Sequence, residues 1–230
     1  QVVSYGKVGG WENRHGRKTA LRYNSSNIID KCGRNTIYMN IGPGVLRVPL
    51  YAFTQVNMYN SYRLRKIVTD IIPKNGKLLD LYGGYGAFAF EHVLRGKGKS
   101  YVMETDKQTV DAGRNFAKRQ RLAVKFKSTN LRKTKESYYP NYKFNCTITD
   151  PPRKGLQNKV VKFLNIKGSK IVVYVSCSVA ALARDIERLT SYTPEYFQPI
   201  DMFPNTPEIE TIAVLRRKDN LEEVRVGDKT

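Results

Sequence analysis

Two segments that each follow an apolar run carry side chains suited to covalent chemistry. The first reads Thr-Asp-Pro-Pro-Arg-Lys-Gly around Asp150, and the second, Tyr-Val-Ser-Cys, ends in Cys177. Two prolines cannot continue the ladder of a strand, so they hold Asp150 rigidly where the chain leaves the sheet. A thiol at the neighbouring strand end is a candidate nucleophile beside that carboxylate. Arg153 and Arg184 lie in or shortly after these segments, and we expect their positive charge to favour the thiolate.

A glycine-rich segment from Asp80 to Phe88 has the residues of a nucleotide-binding turn. It reads Asp-Leu-Tyr-Gly-Gly-Tyr-Gly-Ala-Phe between a predicted strand and a predicted helix, where glycines let the backbone approach a ligand. Gly84 and Gly86 also fit the Gly-x-Gly-x-x-Ala fingerprint of dinucleotide-binding dehydrogenases. Asp80 would repel a pyrophosphate and attract a sulfonium, and Glu104 at the end of the next strand can accept both ribose hydroxyls. We therefore favour S-adenosylmethionine over a nicotinamide dinucleotide.

The elements that must position these residues alternate along the chain. A helical pattern runs from Tyr59 to Ile71, and Pro73 and Gly76 end it. A further helical stretch covers Ala180–Leu189. Runs typical of strands occupy Leu78–Leu81, Ser100–Met103, Val124–Lys127, Cys146–Thr149, Ile171–Val175, Phe197–Met202 and Thr211–Arg216. This alternation predicts an α/β fold with a mainly parallel sheet and helices on both faces. With S-adenosylmethionine as the favoured ligand, we expect the Rossmann-like sheet of a class I methyltransferase.

The first fifty residues differ from the rest of the chain because short β segments follow one another between glycines. These segments are Lys18–Tyr23, Thr36–Ile41 and Val45–Val48. We therefore predict a small β-rich N-terminal element over residues 1–50 and an S-adenosylmethionine-dependent methyltransferase domain over residues 51–230.

The charge balance points to a polyanionic partner. The 230 residues include 40 Lys and Arg against 20 Asp and Glu, a formal net charge of +20. Such a surplus attracts nucleic acid first and an anionic membrane surface second. Nine of these cations and no acid lie in the stretch Ala112–Lys135, which is the first candidate for a contact with RNA phosphates.

The spacing of the cysteines and the hydropathy of the chain argue against a metal centre and a membrane span. Cys32, Cys146 and Cys177 are widely separated, so their thiolates cannot assemble a zinc site or an iron–sulfur cluster, and we expect no metal. No apolar run is long enough to span a membrane, and no signal peptide opens the chain. We expect an intracellular protein, cytoplasmic or organellar. The sequence opens at Gln1 rather than Met, which leaves room for a leader or a domain ahead of it.

Taken in order, the motifs between Tyr51 and Arg217 resemble those of the RNA uracil-5 methyltransferases, which make 5-methyluridine in tRNA or ribosomal RNA. The matching segments are Phe-Thr-Gln-Val-Asn57, Asp-Pro-Pro-Arg-Lys-Gly155, Tyr-Val-Ser-Cys177, Leu-Ala-Arg-Asp185 and Asp-Met-Phe-Pro-Asn-Thr206 with Ile209-Glu210 after it. The related cytosine-5 enzymes place a cysteine directly after the two prolines, where this chain has Arg153. The resemblance therefore favours uracil as the target base.

The resemblance implies a role for each matching residue. Cys177 would be the nucleophile that adds to C6 of uracil, and Glu210 the base that removes the C5 proton. The residues that line the methyl-donor site would be Gln55, Tyr82, Gly84, Gly86, Glu104, Asn130 and Asp150. The partner would be tRNA or rRNA that presents a flipped or single-stranded uridine, with ribosomal or assembly partners as a further possibility. The aromatic rings available to stack on that base are Phe53, Tyr82 and Tyr85.

Three positions depart from the family pattern. Ser-Val-Ala-Ala follows Cys177 where the family usually has Asn-Pro-x-Thr, Ala87 replaces an Asn, and Glu208 replaces a His. Two hypotheses therefore stay open. The first is an active uracil-5 methyltransferase that works through a covalent Cys–C6 adduct. The second is a degenerate relative that binds RNA as a scaffold or assembly factor with little turnover.

Overall fold

In a computed structural model, the chain is described from residue 36 to residue 218, except for residues 51, 56, 97, 135–137 and 141–142, together with the backbone of four earlier strands. Those four strands form an antiparallel sheet in chain order, and a hairpin of two strands follows. The bounds of the six strands are β1 Val2–Tyr5, β2 Val8–Glu12, β3 Lys18–Asn24, β4 Asn27–Cys32, β5 Thr36–Ile41 and β6 Gly44–Pro49. The predicted β segments before residue 50 coincide with β3, β5 and β6, whereas β1, β2 and β4 were not predicted.

The rest of the described chain builds a sheet of seven strands and the helices that cover it. The strands are β7 Lys77–Leu81, β8 Lys99–Glu104, β9 Val124–Ser128, β10 Cys146–Thr149, β11 Ile171–Ser176, β12 Tyr192–Ile200 and β13 Glu210–Arg217. The helices are α1 Met58–Asp70, α2 Ala87–Arg95, α3 Lys107–Arg119, α4 Asn158–Lys167 and α5 Val179–Arg188. The strand order is β12-β13-β11-β10-β7-β8-β9. β13 pairs antiparallel with both of its neighbours, β11 and β12, and the other neighbouring strands of this sheet pair in parallel.

Helices pack on both faces of this sheet because its central strands are apolar on both sides. On one face, α4 and α5 bury Leu164 and Leu182 against Leu79 and Tyr174 of the strands. On the other face, α1, α2 and α3 cover the opposite side chains of the same strands. The predicted α/β fold with a mainly parallel sheet is therefore confirmed.

The hairpin β5–β6 packs on the face of the sheet that α2 and α3 cover. Its apolar residues Met39, Leu46 and Val48 share a buried cluster with Phe90 of α2 and Phe116 of α3. This hairpin therefore contributes to the core beneath α2 and α3. The domain boundary at residue 50 stays a prediction.

Strand β12 begins five residues before the predicted start at Phe197. Pro194 and Pro199 obscure it in the sequence, since proline cannot donate to a sheet ladder. The structure accommodates both prolines because β12 is an edge strand, and its register with β13 shifts between Pro194 and Tyr196. No helix among the described residues is both long and apolar enough to cross a lipid bilayer.

The topology creates a crevice at one edge of the sheet. From β7 the chain crosses to β8 and β9 on one side, and then returns to β10 on the other side of β7. Ligands of open α/β sheets bind outside the carboxyl ends of the strands at such a switch point. The loops that follow β7 and β10 are the glycine-rich segment and the Asp-Pro-Pro segment.

Candidate active site

The strand register brings the predicted site residues to the same edge of the sheet. Thr149, which precedes Asp150, pairs with Leu81 at the end of β7. Cys177 directly follows β11, and Glu210 opens the antiparallel strand β13 that pairs with it, with Ser176 opposite Thr211. An antiparallel strand begins where its neighbour ends, and therefore Glu210 lies at the carboxyl edge beside Cys177.

The glycine-rich loop is shaped to bring backbone close to a ligand. Tyr82 and Gly84 both adopt positive φ angles, 60° and 55°, a conformation that strains a bulky residue such as Tyr82. A Cβ atom built on Gly84 would meet no atom within 4 Å, so the space over this residue is open. Gly84 donates its backbone N–H to Glu104, 3.2 Å away. The other carboxylate oxygen of Glu104 accepts from the backbone N–H groups of Thr105 and Asp106.

A pocket beside this loop collects four of the predicted donor-site residues. Gln55, Tyr82, Gly84 and Asp150 line it, together with Phe53, Thr54, Ser61, Leu64, Arg65, Gly83, Tyr85, Ala87 and Phe88. The aromatic residues differ in exposure: Phe53 is 73% exposed and can offer its ring to a base, whereas only 6% of Tyr85 is exposed.

Three predicted donor-site residues, Gly86, Glu104 and Asn130, lie outside the lining of this pocket, and Glu104 contacts it through the backbone N–H of Gly84. Asn130 is exposed after β9, and its Oδ1 accepts the backbone N–H of Arg132 at 3.0 Å. Gly86 is the N-cap of α2 with a φ of 91°, and a Cβ there would come within 2.8 Å of the Phe126 ring. The structure therefore gives Gly86 a packing role, and Asn130 caps a turn.

Asp80 is a buried carboxyl group beneath the glycine-rich loop. Its side chain is fully buried, and neither oxygen has a hydrogen-bond partner among the described residues. Burial raises its pKa from 3.8 to about 8, the nearby Ala89 N–H opposes the rise, and the charge of Glu104 adds to it. A Cβ on Gly83 would lie 2.6 Å from the Asp80 carboxyl carbon. The carboxyl group therefore packs directly under the loop.

Cys177 is partly exposed, and opposing charges act on its thiol. Burial and the carboxylate of Glu210 raise the pKa of Cys177, while a hydrogen bond from Arg153 lowers it. The net direction is upward, so the expectation of a thiolate favoured in the free protein is wrong. Arg184 is not among the groups that lower the pKa of this thiol, and its guanidinium instead donates to Lys154 O and to the Asp185 carboxylate.

Two carboxyl groups beside the thiol also have raised pKa values. Burial raises the pKa of Glu210, which is 3% exposed, from 4.5 to about 7. The pKa of Asp150 lies well above its usual range because of burial first and then the charges of Glu210 and Asp80. A carboxylate that titrates near neutral pH is suited to accept a proton during a reaction.

Glu208 has a function in this geometry that its sequence position did not reveal. Its Oε2 accepts from Arg153 Nη2 at 2.6 Å, and Arg153 also contacts the thiol of Cys177. Glu208, which stands where the resemblance predicts His, therefore provides a partner for Arg153 beside Cys177.

The turn after Cys177 is fixed by serines rather than by a proline. Ser176 Oγ donates to the carbonyl oxygen of Ser178 at 3.0 Å, and the Ser178 N–H donates back to Ser176 Oγ. Ser178 also caps α5, since its Oγ accepts the backbone N–H of Ala181 at 3.3 Å. These bonds hold the turn after Cys177 without the Asn-Pro pair of the family that it resembles.

Asp185 anchors the Asp-Pro-Pro loop from below, a role that sequence reasoning missed. Its carboxylate is fully buried and accepts from Leu156 N at 2.5 Å and from the Tyr174 hydroxyl at 2.9 Å. Arg188 donates to it at 2.6 Å. A buried anion with this many donors fixes the loop that carries Asp150.

Comparisons with known proteins identify the family to which this chain is similar. A family model described as tRNA (uracil-5-)-methyltransferase matches residues 45–218. An uncharacterized RNA methyltransferase of Nanoarchaeum equitans is 33% identical over 168 residues, which cover 72% of this chain and 36% of that protein. A tRNA (uracil(54)-C(5))-methyltransferase of Pyrococcus horikoshii is 31% identical over 183 residues, which cover 80% of this chain and 43% of that protein.

Solved structures support the same assignment. The tRNA (uracil-54, C5)-methyltransferase of Pyrococcus abyssi, solved with S-adenosyl-L-homocysteine, superposes with a TM-score of 0.70 at 27% identity. That match covers 83% of this chain and 46% of the other. Trm5b of the same organism shares the fold, with a TM-score of 0.60 at 11% identity over 91% of this chain and 62% of its own. The chain spans less than half the length of the curated relatives named above. By its family match and these identities, the chain belongs to the tRNA (uracil-5-)-methyltransferase family.

Proposed function

We propose that this chain carries the catalytic domain of an S-adenosylmethionine-dependent methyltransferase that forms 5-methyluridine in tRNA. The observation that carries the proposal is the meeting of Cys177 and Glu210 beside Asp150, which lines the pocket at the glycine-rich loop. A nucleophile, a base of near-neutral pKa and a nucleotide-type pocket at one sheet edge are what this reaction needs.

The glycine-rich loop and the carboxyl groups around it suit S-adenosylmethionine. The volume over Gly84 is open, and Glu104 stands at the end of β8 where a carboxylate can accept ribose hydroxyls. Asp80 lies under the loop with two unpartnered oxygens, so a sulfonium above it would offset part of the cost of its burial. When bound, S-adenosylmethionine supplies an electrophilic methyl group.

The residues of this chain then account for the other steps. Uracil C5 is a weak nucleophile, so the Cys177 thiolate first adds to C6, which places an electron pair at C5. After C5 has taken the methyl group, Glu210 removes the C5 proton. The released pair restores the C5–C6 double bond and expels the thiolate. The partly exposed thiol first loses its proton to solvent, and the hydrogen bond from Arg153 stabilises the thiolate that remains.

The relatives favour tRNA over ribosomal RNA as substrate. Three Pyrococcus relatives at 30% to 33% identity are tRNA (uracil(54)-C(5))-methyltransferases. Since Cys177 is partly buried, the target uridine has to leave its stack to bring C6 to the sulfur. The exposed ring of Phe53 at the pocket is placed to stack on a base.

Methyl transfer to defined RNAs tests the proposal. The purified protein is incubated with methyl-labelled S-adenosylmethionine and either a tRNA transcript or ribosomal RNA, and the RNA is digested to nucleosides. We expect label in 5-methyluridine from tRNA, none with Cys177→Ala, and retained activity with Cys146→Ala, a buried cysteine in β10 away from the pocket. Label only in ribosomal RNA would overturn the choice of tRNA. RNA binding without any methyl transfer would support the scaffold hypothesis instead.

A further inference from the structure

A groove lined by cations opens near the nucleophile, outside the donor pocket. Five basic residues line it, and together they are here called the basic groove: Arg132, Lys154, Lys159, Arg184 and Arg188. Leu156, Gln157 and Asn158 complete the lining, so no acidic and no aromatic side chain forms its surface.

Two of these cations form a fixed wall. Arg184 and Arg188 both bond to the buried carboxylate of Asp185 behind the groove. Arg188 also donates to Leu156 O at 3.1 Å and to Asn158 Oδ1 at 2.6 Å. The five basic residues carry five positive charges and Asp185 carries one negative charge, so the groove keeps a net charge of +4.

The other three cations are exposed and available to a ligand. Arg132, Lys154 and Lys159 lie at the surface and form no ion pair with any described residue. Arg132 contacts Gln157 at 3.3 Å, which holds its guanidinium over the groove. Like charges gathered around one groove repel one another, and a bound polyanion relieves that repulsion.

The groove opens at the same edge of the sheet as the site. Lys154 directly follows Arg153, whose guanidinium contacts the Cys177 thiol. Arg132 lies just beyond the carboxyl end of β9. In contrast, Lys118 and Arg119 end α3, which runs back from the carboxyl edge, so they lie at the opposite edge. The stretch Ala112–Lys135 is therefore divided between the two edges, and Lys135 is outside the described residues.

We propose that the basic groove binds the sugar–phosphate backbone of the substrate RNA next to the target uridine. The absence of aromatic side chains from its lining fits phosphates rather than stacked bases, and guanidinium and ammonium groups are the usual partners of phosphate oxygens. The proposal rests on the proposed function for the identity of the RNA. It adds the surface that holds this RNA and the chemistry of the contact.

A matched pair of triple variants tests the groove. One carries Arg132→Gln, Lys154→Gln and Lys159→Gln, and leaves the partners of Asp185 in place. The other carries Lys118→Gln, Arg119→Gln and Arg121→Gln at the opposite edge. Each removes three charges, so the net charge falls from +20 to +17 in both. The dissociation constant for a tRNA transcript is measured by fluorescence anisotropy across a range of salt concentrations.

We expect the groove variant to reduce the slope of log affinity against log salt by about 2 to 3, since each phosphate contact contributes about 0.7 to 0.9. The slope of the control variant should stay close to that of the unmodified protein. Equal slopes for the two variants, or an unchanged slope for the groove variant, would overturn the proposal that the basic groove binds RNA phosphates. Failure of the unmodified protein to bind or methylate any RNA would instead overturn the proposed function. Thermal unfolding of all three proteins checks that the exposed substitutions leave the fold intact.

Discussion

Replacement of Glu210 by Gln should stabilise the protein at neutral pH while removing its base. The Glu210 side chain is 3% exposed, and burial raises its pKa from 4.5 to about 7. The folded state therefore disfavours the charged form of this residue. At about 1.4 kcal/mol for each tenfold change in an equilibrium constant, the rise corresponds to about 3 kcal/mol.

The sign of this effect depends on pH. Below the ordinary pKa of 4.5, Glu210 is protonated in both the folded and the unfolded chain, so burial of its charge costs nothing. Between 4.5 and about 7 the unfolded chain releases the proton and the folded protein retains it, so the free energy of unfolding falls as pH rises. Above about 7 both states are ionised, and the loss stays near 3 kcal/mol.

Urea unfolding of the unmodified protein and of Glu210→Gln, followed from about pH 4 to about pH 9, measures this difference. The advantage of the variant should grow with pH by about 3 kcal/mol and level off above neutrality. Glu195→Gln is the matched control, because Glu195 is an exposed carboxylate on β12 paired with Arg216. An exposed ion pair is worth about 0 to 1 kcal/mol, so the difference curve of this control should span no more than that. Asp80 remains in all three proteins, so its own titration largely cancels. In Glu210→Gln, Asp150 is freed from the charge of Glu210, which adds to the advantage of the variant at high pH. A flat curve for Glu210→Gln would show that Glu210 titrates normally and would refute its role as a base of near-neutral pKa.

Three further substitutions have definite expected outcomes. Arg153→Met should raise the pKa of the Cys177 thiol further, so iodoacetamide should alkylate Cys177 more slowly at about pH 8 than in the unmodified protein. An equal rate would contradict the interaction of Arg153 with the thiol. Gly83→Ala should weaken binding of S-adenosylhomocysteine at least about tenfold by calorimetry, because its Cβ would lie 2.6 Å from the carboxyl carbon of Asp80, and unchanged affinity would show that the loop can shift. Asp185→Asn should lower the free energy of unfolding by about 3 kcal/mol, since it leaves buried donors without their anion, and a loss below about 1 kcal/mol would contradict this role.

The sequence was sufficient to place most strands of the sheet and to bring the candidate residues to one edge, because both depend on local patterns. Apolar runs bounded by prolines and glycines located β7 to β11 and β13 within one or two residues. Asp150 and Cys177 follow the ends of predicted strands, so a mainly parallel sheet is enough to bring them to one edge. Strand β12 was placed too late, since its edge position, which tolerates two prolines, is a property of the whole sheet.

The interactions of the charged residues around Cys177 could not be predicted from local patterns. The pKa of the Cys177 thiol depends on its burial and on Glu210, which comes from a strand 33 positions later in the chain. Arg184 was expected beside the thiol because it follows in sequence, but the helical turn directs it to Asp185. The Arg153–Glu208 pair joins residues from two loops, and only the folded chain shows that they meet.

Covalent capture of 5-fluorouridine-substituted tRNA tests the central claim most directly, namely that Cys177 attacks C6 of a uridine. Fluorine at C5 cannot leave as a proton does, so after methyl transfer Glu210 has no proton to remove and the sulfur–C6 bond persists. With S-adenosylmethionine at saturation, we expect an RNA–protein adduct that survives denaturing electrophoresis, is absent with Cys177→Ala and is retained with Cys146→Ala. Absence of the adduct from the unmodified protein, or its persistence in Cys177→Ala, would contradict the assignment of the nucleophile.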